Sequence, residues 1–110
     1  MTELELHTDD PTEGGVKHDN GKPDLSLLPY PALEELSRAM MFGAKKYGRN
    51  NYRKGMAWTR LLGACLRHVT AFSFGEDKDP ESGLSHLAHA GACILFLLTY
   101  EKLKLGKDDR

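Results

Sequence analysis

Cysteine is scarce in this chain, which has only Cys65 and Cys93 among its 110 residues. Both thiols fall in apolar stretches that we predict to be helical, so we expect two buried free thiols. A disulfide framework or a cysteine zinc site would need more cysteines or a closer spacing. This sparing use of cysteine is typical of a protein in a reducing, cytoplasmic environment.

Long hydrophobic runs and an excess of one charge are also lacking. The apolar run at 92–98 is too short to span a bilayer, and charged residues follow it closely. The first residues are acidic and polar, unlike a signal peptide. The net charge of −1 argues against the basic surface that duplex nucleic acid requires. We therefore expect neither a membrane nor duplex nucleic acid as a partner, whereas a small anion held by a few local cations is compatible.

Apolar residues recur at helical spacing in three segments, and each segment has helix-boundary signals. Gly48 is suited to end the first helix, and Asp79-Pro80 has the pattern of an N-cap followed by proline at the first helical position. The predicted helices cover about residues 31–47, 58–74 and 80–105.

These patterns predict an all-α fold, a small antiparallel bundle of three main helices with an irregular N-terminal arm. We expect the arm to cover residues 1–15, which are polar and acidic, and a single helical domain to cover 16–110. The third helix is apolar almost all round from Ala90 to Leu98, whereas a surface helix of a monomer has one apolar stripe. We therefore expect a homo-oligomer in which a second subunit completes the bundle.

Titratable residues are concentrated at the corner between the second and third helices. His86 and His89 share one helix face, and carboxylates in the intervening loop would suit Mg²⁺ or Mn²⁺. The alternative is that the histidines pack at polar edges and that the acidic loop is solvated. Candidates for metal binding are Glu35, Glu76, His86 and His89, and candidates for catalysis are His68, Glu76 and His86.

Cations and aromatic residues surround the end of the first helix. Such groups can hold phosphates and stack a base, although a basic helix end favoured by the helix dipole would look the same. The candidate phosphate contacts are Lys22, Lys45, Lys46, Arg49 and Arg67, and the candidate base contacts are Tyr47, Asn51 and Trp58.

Three stretches together carry a family resemblance, namely HDNGKPDLSLLP, ALEELSRAMMFGAKKYGRNNYRKGMAW and LRHVTAFSFGEDKDPESGLSHLAHAGA. Over about residues 16–103 the chain resembles the N-terminal domain of phage-type dATP/dGTP diphosphohydrolases, which are grouped with all-α, MazG-like nucleoside triphosphate pyrophosphohydrolases. The resemblance implies an oligomeric, metal-dependent enzyme that converts purine deoxynucleoside triphosphates to monophosphates and pyrophosphate. It would act in the host cytoplasm if a phage encodes it.

The chain departs from the acidic metal motifs of MazG-like enzymes, which are E-E-x-x-E on one helix and E-x-x-D on the next. Arg38 stands where the third acid of the first motif would be, and His86 and His89 stand where the second motif might fall. Either other ligands bind the metal, or the pocket binds a nucleotide without efficient hydrolysis. The alternatives to the hydrolase are thus a non-catalytic protein that sequesters a nucleotide signal of host defence, including a cyclic one, and a structural or regulatory helical module.

Overall fold

The computed structural model describes residues 14–110, so most of the predicted N-terminal arm lies outside the described residues. Three α-helices dominate this part of the chain, and two short 3₁₀ helices, at Leu25–Leu27 and Asn51–Lys54, accompany them. The α-helices are α1 (Tyr30–Tyr47), α2 (Trp58–Ser73) and α3 (His86–Leu103). Residues 14–110 contain two isolated β-bridges and no named strand. The predicted all-α class is confirmed.

Helix α3 packs against both other helices and runs antiparallel to each. Ala39 of α1 is buried against Ala88 and Ala92 of α3, and these small side chains bring the two helices close together. On the α2 side, the Cys65 thiol lies 3.6 Å from the carbonyl oxygen of Ala90. The ends of α1 and α2 both lie beside the start of α3. Three parts of the chain therefore meet at this end of the bundle.

The start of α3 differs from the prediction by six residues. The prediction that Asp79 is the N-cap was wrong, because Ser85 precedes the helix and its hydroxyl accepts a hydrogen bond from the Leu87 amide. Residues 79–84 instead form a closed turn, in which the Asp79 amide donates to the Leu84 carbonyl at 2.8 Å. Gly83 adopts a positive φ of 74°, which a helix does not permit. The Asp79 carboxylate is thereby available for other contacts.

A long connection, residues 48–57, leads from the end of α1 back to the start of α2. Tyr52 in this connection stacks on Phe96 of α3, with ring centroids 4.7 Å apart. The fully buried Tyr100 donates its hydroxyl hydrogen to the Tyr52 carbonyl at 2.6 Å. Because the connection crosses the bundle in this way, α1 and α2 run in the same direction.

Apolar side chains also form an exposed surface on the side where α2 and α3 meet. Leu62 and Leu97 line one groove there, so the exposed stripes of the two helices adjoin. We call this surface the apolar face; it comprises Leu62, Leu66, Val69, Leu87, Ile94 and Leu98, each at least 38% exposed. None of the described helices is long and apolar enough to cross a membrane.

A Gly106→Ala substitution is expected to lower the free energy of unfolding by about 2–4 kcal/mol. Gly106 has a φ of 70°, and an added Cβ would overlap the Met56 carbonyl oxygen, which belongs to the rigid backbone. Gly48→Ala is the matched control, since Gly48 also has a positive φ but has no atom near an added Cβ. Denaturant unfolding should show a clearly larger loss for Gly106→Ala; equal losses would contradict the packing argument.

Candidate functional site

Five titratable side chains converge where α2 ends and α3 begins. The last turns of α2 supply one histidine, the loop supplies two carboxylates, and the first turn of α3 supplies two histidines. We call this group the histidine–carboxylate cluster; it comprises His68, Glu76, Asp79, His86 and His89. The antiparallel packing of α2 and α3 brings these residues together across the short loop.

A chain of hydrogen bonds links Glu76, His86 and His68. His86 is only 4% exposed, and its Nε2 lies 2.7 Å from Oε1 of Glu76. Its Nδ1 lies 2.8 Å from Nδ1 of His68. A carboxylate accepts hydrogen bonds, so a neutral His86 carries its proton on Nε2 and accepts one from His68 at Nδ1. Glu76 therefore fixes the tautomer of His86 and directs an Nδ1 lone pair towards His68.

His89 closes the cluster on the side of α1. Its ring stacks on His68, with centroids 4.8 Å apart and planes at 15°, and the ring of Phe42 meets it edge-on. Its Nε2 lies 2.6 Å from the Ser82 hydroxyl and 4.0 Å from Oδ2 of Asp79. His89 is thus held in position by contacts with all the segments that meet here.

Asp79 presents a half-buried carboxylate to the histidines. Burial alone would raise the pKa of Asp79, but hydrogen bonds from Ser82 and the nearby charges of His89 and His68 outweigh burial and lower this pKa below its ordinary value. One oxygen of Asp79 and one ring nitrogen each of His68 and His86 lie within 4.8 Å of one another. A charged carboxylate and two imidazoles form a ligand set that can hold a divalent metal ion.

Burial favours the neutral forms of two of these histidines. It lowers the pKa of His68, and positive charge on His89 and His86 would lower it further. Burial also lowers the pKa of His89, although the nearby Asp79 carboxylate opposes this shift. Both rings are therefore neutral at neutral pH and retain a nitrogen lone pair for a metal ion or a proton.

These shifts predict that the metal-free protein loses stability as the pH falls below 6.5. The unfolded chain takes up protons at the ordinary histidine pKa of 6.5, whereas folded His68 and His89 resist protonation. The stabilisation is complete above 6.5 and is lost as the pH falls towards the lower folded pKa values. Thermal melting in chelator should show a falling Tm between pH 7.5 and 5.5.

Two variants test the origin of this pH dependence. His89→Asn should flatten the profile, whereas His18→Ala should leave it unchanged because His18 is exposed and lies outside the cluster. A profile equally steep in His89→Asn would assign the dependence to other groups.

The predicted phosphate contact Lys46 lies at the edge of the cluster. Its Nζ forms an ion pair with Oε2 of Glu81 at 2.6 Å, and it sits 5.2 Å from the centre of the Tyr47 ring. Glu81 belongs to the turn that carries Asp79, so the basic end of α1 meets the loop of the cluster. Three other predicted contacts, Lys45, Tyr47 and Arg49, are exposed at this end of α1, and Arg67 is exposed beside His68.

Other predicted site residues lie away from the cluster. Trp58 begins α2, about 15 Å along the helix from His68, and donates its indole N–H to the Leu105 carbonyl. Asn51 lies in the connection that packs on the far half of α3, and Lys22 is exposed in a turn.

Glu35, which the sequence suggested as a metal ligand, lies two helical turns before Phe42 and pairs with Arg38 at 2.9 Å. The structure thus brings Glu76, His86 and His89 together without Glu35. Asp79 takes its place among the possible ligands. The local pattern around Asp79 predicted a helix cap, although Ser82-Gly83 is a turn signal that could have indicated the loop.

The fold and the cluster define an all-α protein with a histidine–carboxylate site. A family model described as "dATP/dGTP diphosphohydrolase, N-terminal" matches residues 12–110, and the chain belongs to this family. A protein of Salmonella phage PMBT28 named dATP/dGTP diphosphohydrolase is 40% identical over 96 residues, which cover 87% of this chain and 33% of the relative. The chain therefore spans about a third of that relative's length. No solved structure matches the chain. The family resemblance seen in the sequence motifs is confirmed.

Proposed function

We propose that this chain forms the site of a metal-dependent hydrolase that converts purine (deoxy)nucleoside triphosphates to the monophosphate and pyrophosphate. Membership of the family and the name of the phage relative support the reaction and the substrate class. The observation that carries the proposal is the histidine–carboxylate cluster beside the basic end of α1. It combines possible metal ligands with cations that suit a triphosphate.

The residues of the cluster fit a divalent ion, and Mg²⁺ and Mn²⁺ are the ions that the sequence suggested. His68, His86 and Asp79 would hold it, since their donor atoms already lie within 4.8 Å of one another. Such an ion neutralises phosphate charge and lowers the pKa of water. Glu76 orients His86, and its carboxylate, which is 55% exposed, can take up a proton from the attacking water.

The cations near the cluster would bind the phosphates. Lys46 is paired with Glu81, but an exposed pair of this kind contributes only about 0–1 kcal/mol, so a triphosphate can displace the carboxylate. Arg67 is exposed next to His68 and would supply a further positive charge from α2. Lys45 and Arg49 would add charge at the end of α1, and Tyr47 offers an exposed ring for the base.

The decisive test is incubation of the purified protein with a panel of (d)NTPs and either Mn²⁺ or Mg²⁺, followed by chromatography of the nucleotides. We expect dGMP or dAMP together with pyrophosphate. Triphosphates that stay intact in all mixtures would refute hydrolysis by this chain and would favour the sequestering protein, for which cyclic nucleotides are the next ligands to test. A melting temperature that no nucleotide shifts would favour a structural or regulatory module.

The proposal includes a homo-oligomer in which a second copy covers the apolar face. Most buried apolar side chains of the described core are alanines, so a single copy buries little apolar surface, while the apolar face has six exposed aliphatic side chains. Covering it with its own symmetry-related copy would bury the exposed part of all six, which is 38–56% of each residue. Full burial of such a side chain contributes about 1.5–3 kcal/mol, so each residue would contribute roughly half of that.

A Leu66→Glu variant is expected to be monomeric, because a glutamate at the centre of the apolar face would place an unpaired charge in the interface. Light scattering after size-exclusion chromatography would show an oligomer for the native chain and a monomer for the variant. Leu27→Glu is the control, since Leu27 is 80% exposed and lies outside the face. A native chain that elutes as a monomer would contradict the proposal.

A further inference from the structure

The donor atoms of the cluster differ chemically from those of a magnesium site. Two of the three possible ligands are imidazole nitrogens, from His68 and His86, and only Asp79 supplies an oxygen. Mg²⁺ binds oxygen ligands almost exclusively, whereas imidazole suits later first-row ions such as Fe²⁺ and Zn²⁺.

The two histidines are already arranged as neighbouring ligands of one ion. Their Nδ1 atoms lie 2.8 Å apart, with a single proton between two nitrogen lone pairs. Two nitrogens that share a tetrahedral ion would be ~3.3 Å apart at the usual metal–nitrogen distance of ~2.0 Å, and octahedral sites bring them closer. An ion that replaces the shared proton therefore requires only a small opening of this pair. Rotation of the half-buried Asp79 side chain would bring in the third ligand.

Glu76 completes an arrangement typical of metal-binding histidines. Such a histidine usually donates its second ring N–H to a carboxylate, which fixes the tautomer and strengthens the ligand nitrogen. The contact between His86 Nε2 and Glu76 at 2.7 Å has this geometry and leaves Nδ1 of His86 as the metal-facing atom. His86 is almost completely buried, so this orientation is maintained by the surrounding packing.

We infer that His68, His86 and Asp79 form a binding site for a first-row transition-metal ion, with Glu76 as the positioning residue for His86, and that this site prefers such an ion to Mg²⁺. The inference deepens the proposed function and rests on it for the role of the ion in hydrolysis. Binding of the ion itself is independent of any nucleotide.

The test is a titration of chelator-treated, full-length protein with Co²⁺, followed by visible absorption, without nucleotide. Co²⁺ is a spectroscopic probe whose visible bands respond to nitrogen ligands and to coordination number. We expect saturable binding that a hundredfold excess of Mg²⁺ does not displace. Zn²⁺ should displace Co²⁺, because nitrogen ligands generally bind Zn²⁺ more tightly. Mg²⁺ that displaces Co²⁺ at comparable concentration would overturn the preference.

Matched variants locate the site. Asp79→Asn and His68→Asn should each weaken Co²⁺ binding by at least 100-fold and alter the spectrum, and Glu76→Gln should weaken it by roughly 10–100-fold. Asp77→Asn and His18→Ala, which change exposed residues of the same types, should bind as the native chain does. Unchanged binding in both Asp79→Asn and His68→Asn would overturn the assignment.

The two proposals can fail separately. Co²⁺ bound at these residues without any nucleotide hydrolysis would keep the metal site and refute the hydrolase. Hydrolysis that proceeds with Mg²⁺ in a protein that fails to bind Co²⁺ would keep the hydrolase and refute the transition-metal site.

Discussion

From the proposed hydrolase function, we expect a His86→Ala variant to hydrolyse nucleoside triphosphates on the order of 10³-fold more slowly than the native chain. His86 forms hydrogen bonds with both the Glu76 carboxylate and the His68 ring. Its removal therefore breaks both hydrogen bonds and deletes one proposed metal ligand. The rate of monophosphate formation at saturating substrate and metal ion measures this loss.

The stability of the same variant must be measured in parallel. The substitution removes a buried ring and leaves the His68 N–H without its partner, which should cost about 1–3 kcal/mol. Thermal melting separates this effect from catalysis, and Glu76→Gln, which retains the buried His86 ring, provides a second variant. A folded His86→Ala protein with more than a tenth of the native rate would exclude His86 from the catalytic machinery.

An Asp79→Asn variant is expected to lose hydrolysis on the order of 10²-fold while it keeps its fold. In the native chain the Ser82 amide donates a hydrogen bond to the Asp79 carboxylate at 2.9 Å. The side-chain oxygen of asparagine can still accept this hydrogen bond, so the turn should persist. The variant lacks the negative charge that would bind a divalent ion. Initial rates over a series of metal concentrations should show a raised metal requirement.

Asp77→Asn is the matched control for this substitution. Asp77 is exposed and contributes a backbone carbonyl to the His86 amide, which the substitution preserves. Its rate should equal that of the native chain. If Asp77→Asn is impaired as strongly as Asp79→Asn, the general charge of the loop, and not a ligand at Asp79, controls the activity.

Helical periodicity predicted α1 and α2 to within a residue or two, because their apolar faces and boundary residues are local features of the chain. The start of α3 was misplaced, because Asp79-Pro80-Glu81 has the local pattern of a helix start. In the fold this segment is a turn, closed by the bond between Asp79 and Leu84 and by the left-handed Gly83. Local preference was overridden by contacts that form only when the loop joins two packed helices.

The spatial grouping of the predicted site residues was correct for residues that are close in sequence and failed for residues whose positions depend on tertiary packing. The grouping of His68, Glu76, His86 and His89 followed from one helix–loop–helix corner, whose residues are close in sequence. Trp58 is a predicted base contact because it closely follows the basic and aromatic residues at the end of α1 in the sequence. The structure places it at the start of α2, at the opposite end of that helix from the cluster. The ion pair between Lys46 and Glu81, 35 residues apart, was beyond any local pattern.

The sequence by itself therefore determined the all-α class, the family and the corner that bears the histidines, since each depends on short-range periodicity or on motifs. Only the tertiary structure decided which atoms face one another. It moved Asp79 from a helix cap to a possible metal ligand, oriented His86 through Glu76, and brought the basic end of α1 to the cluster. These positions depend on how the three helices pack, and that packing involves residues that are distant from one another in the chain.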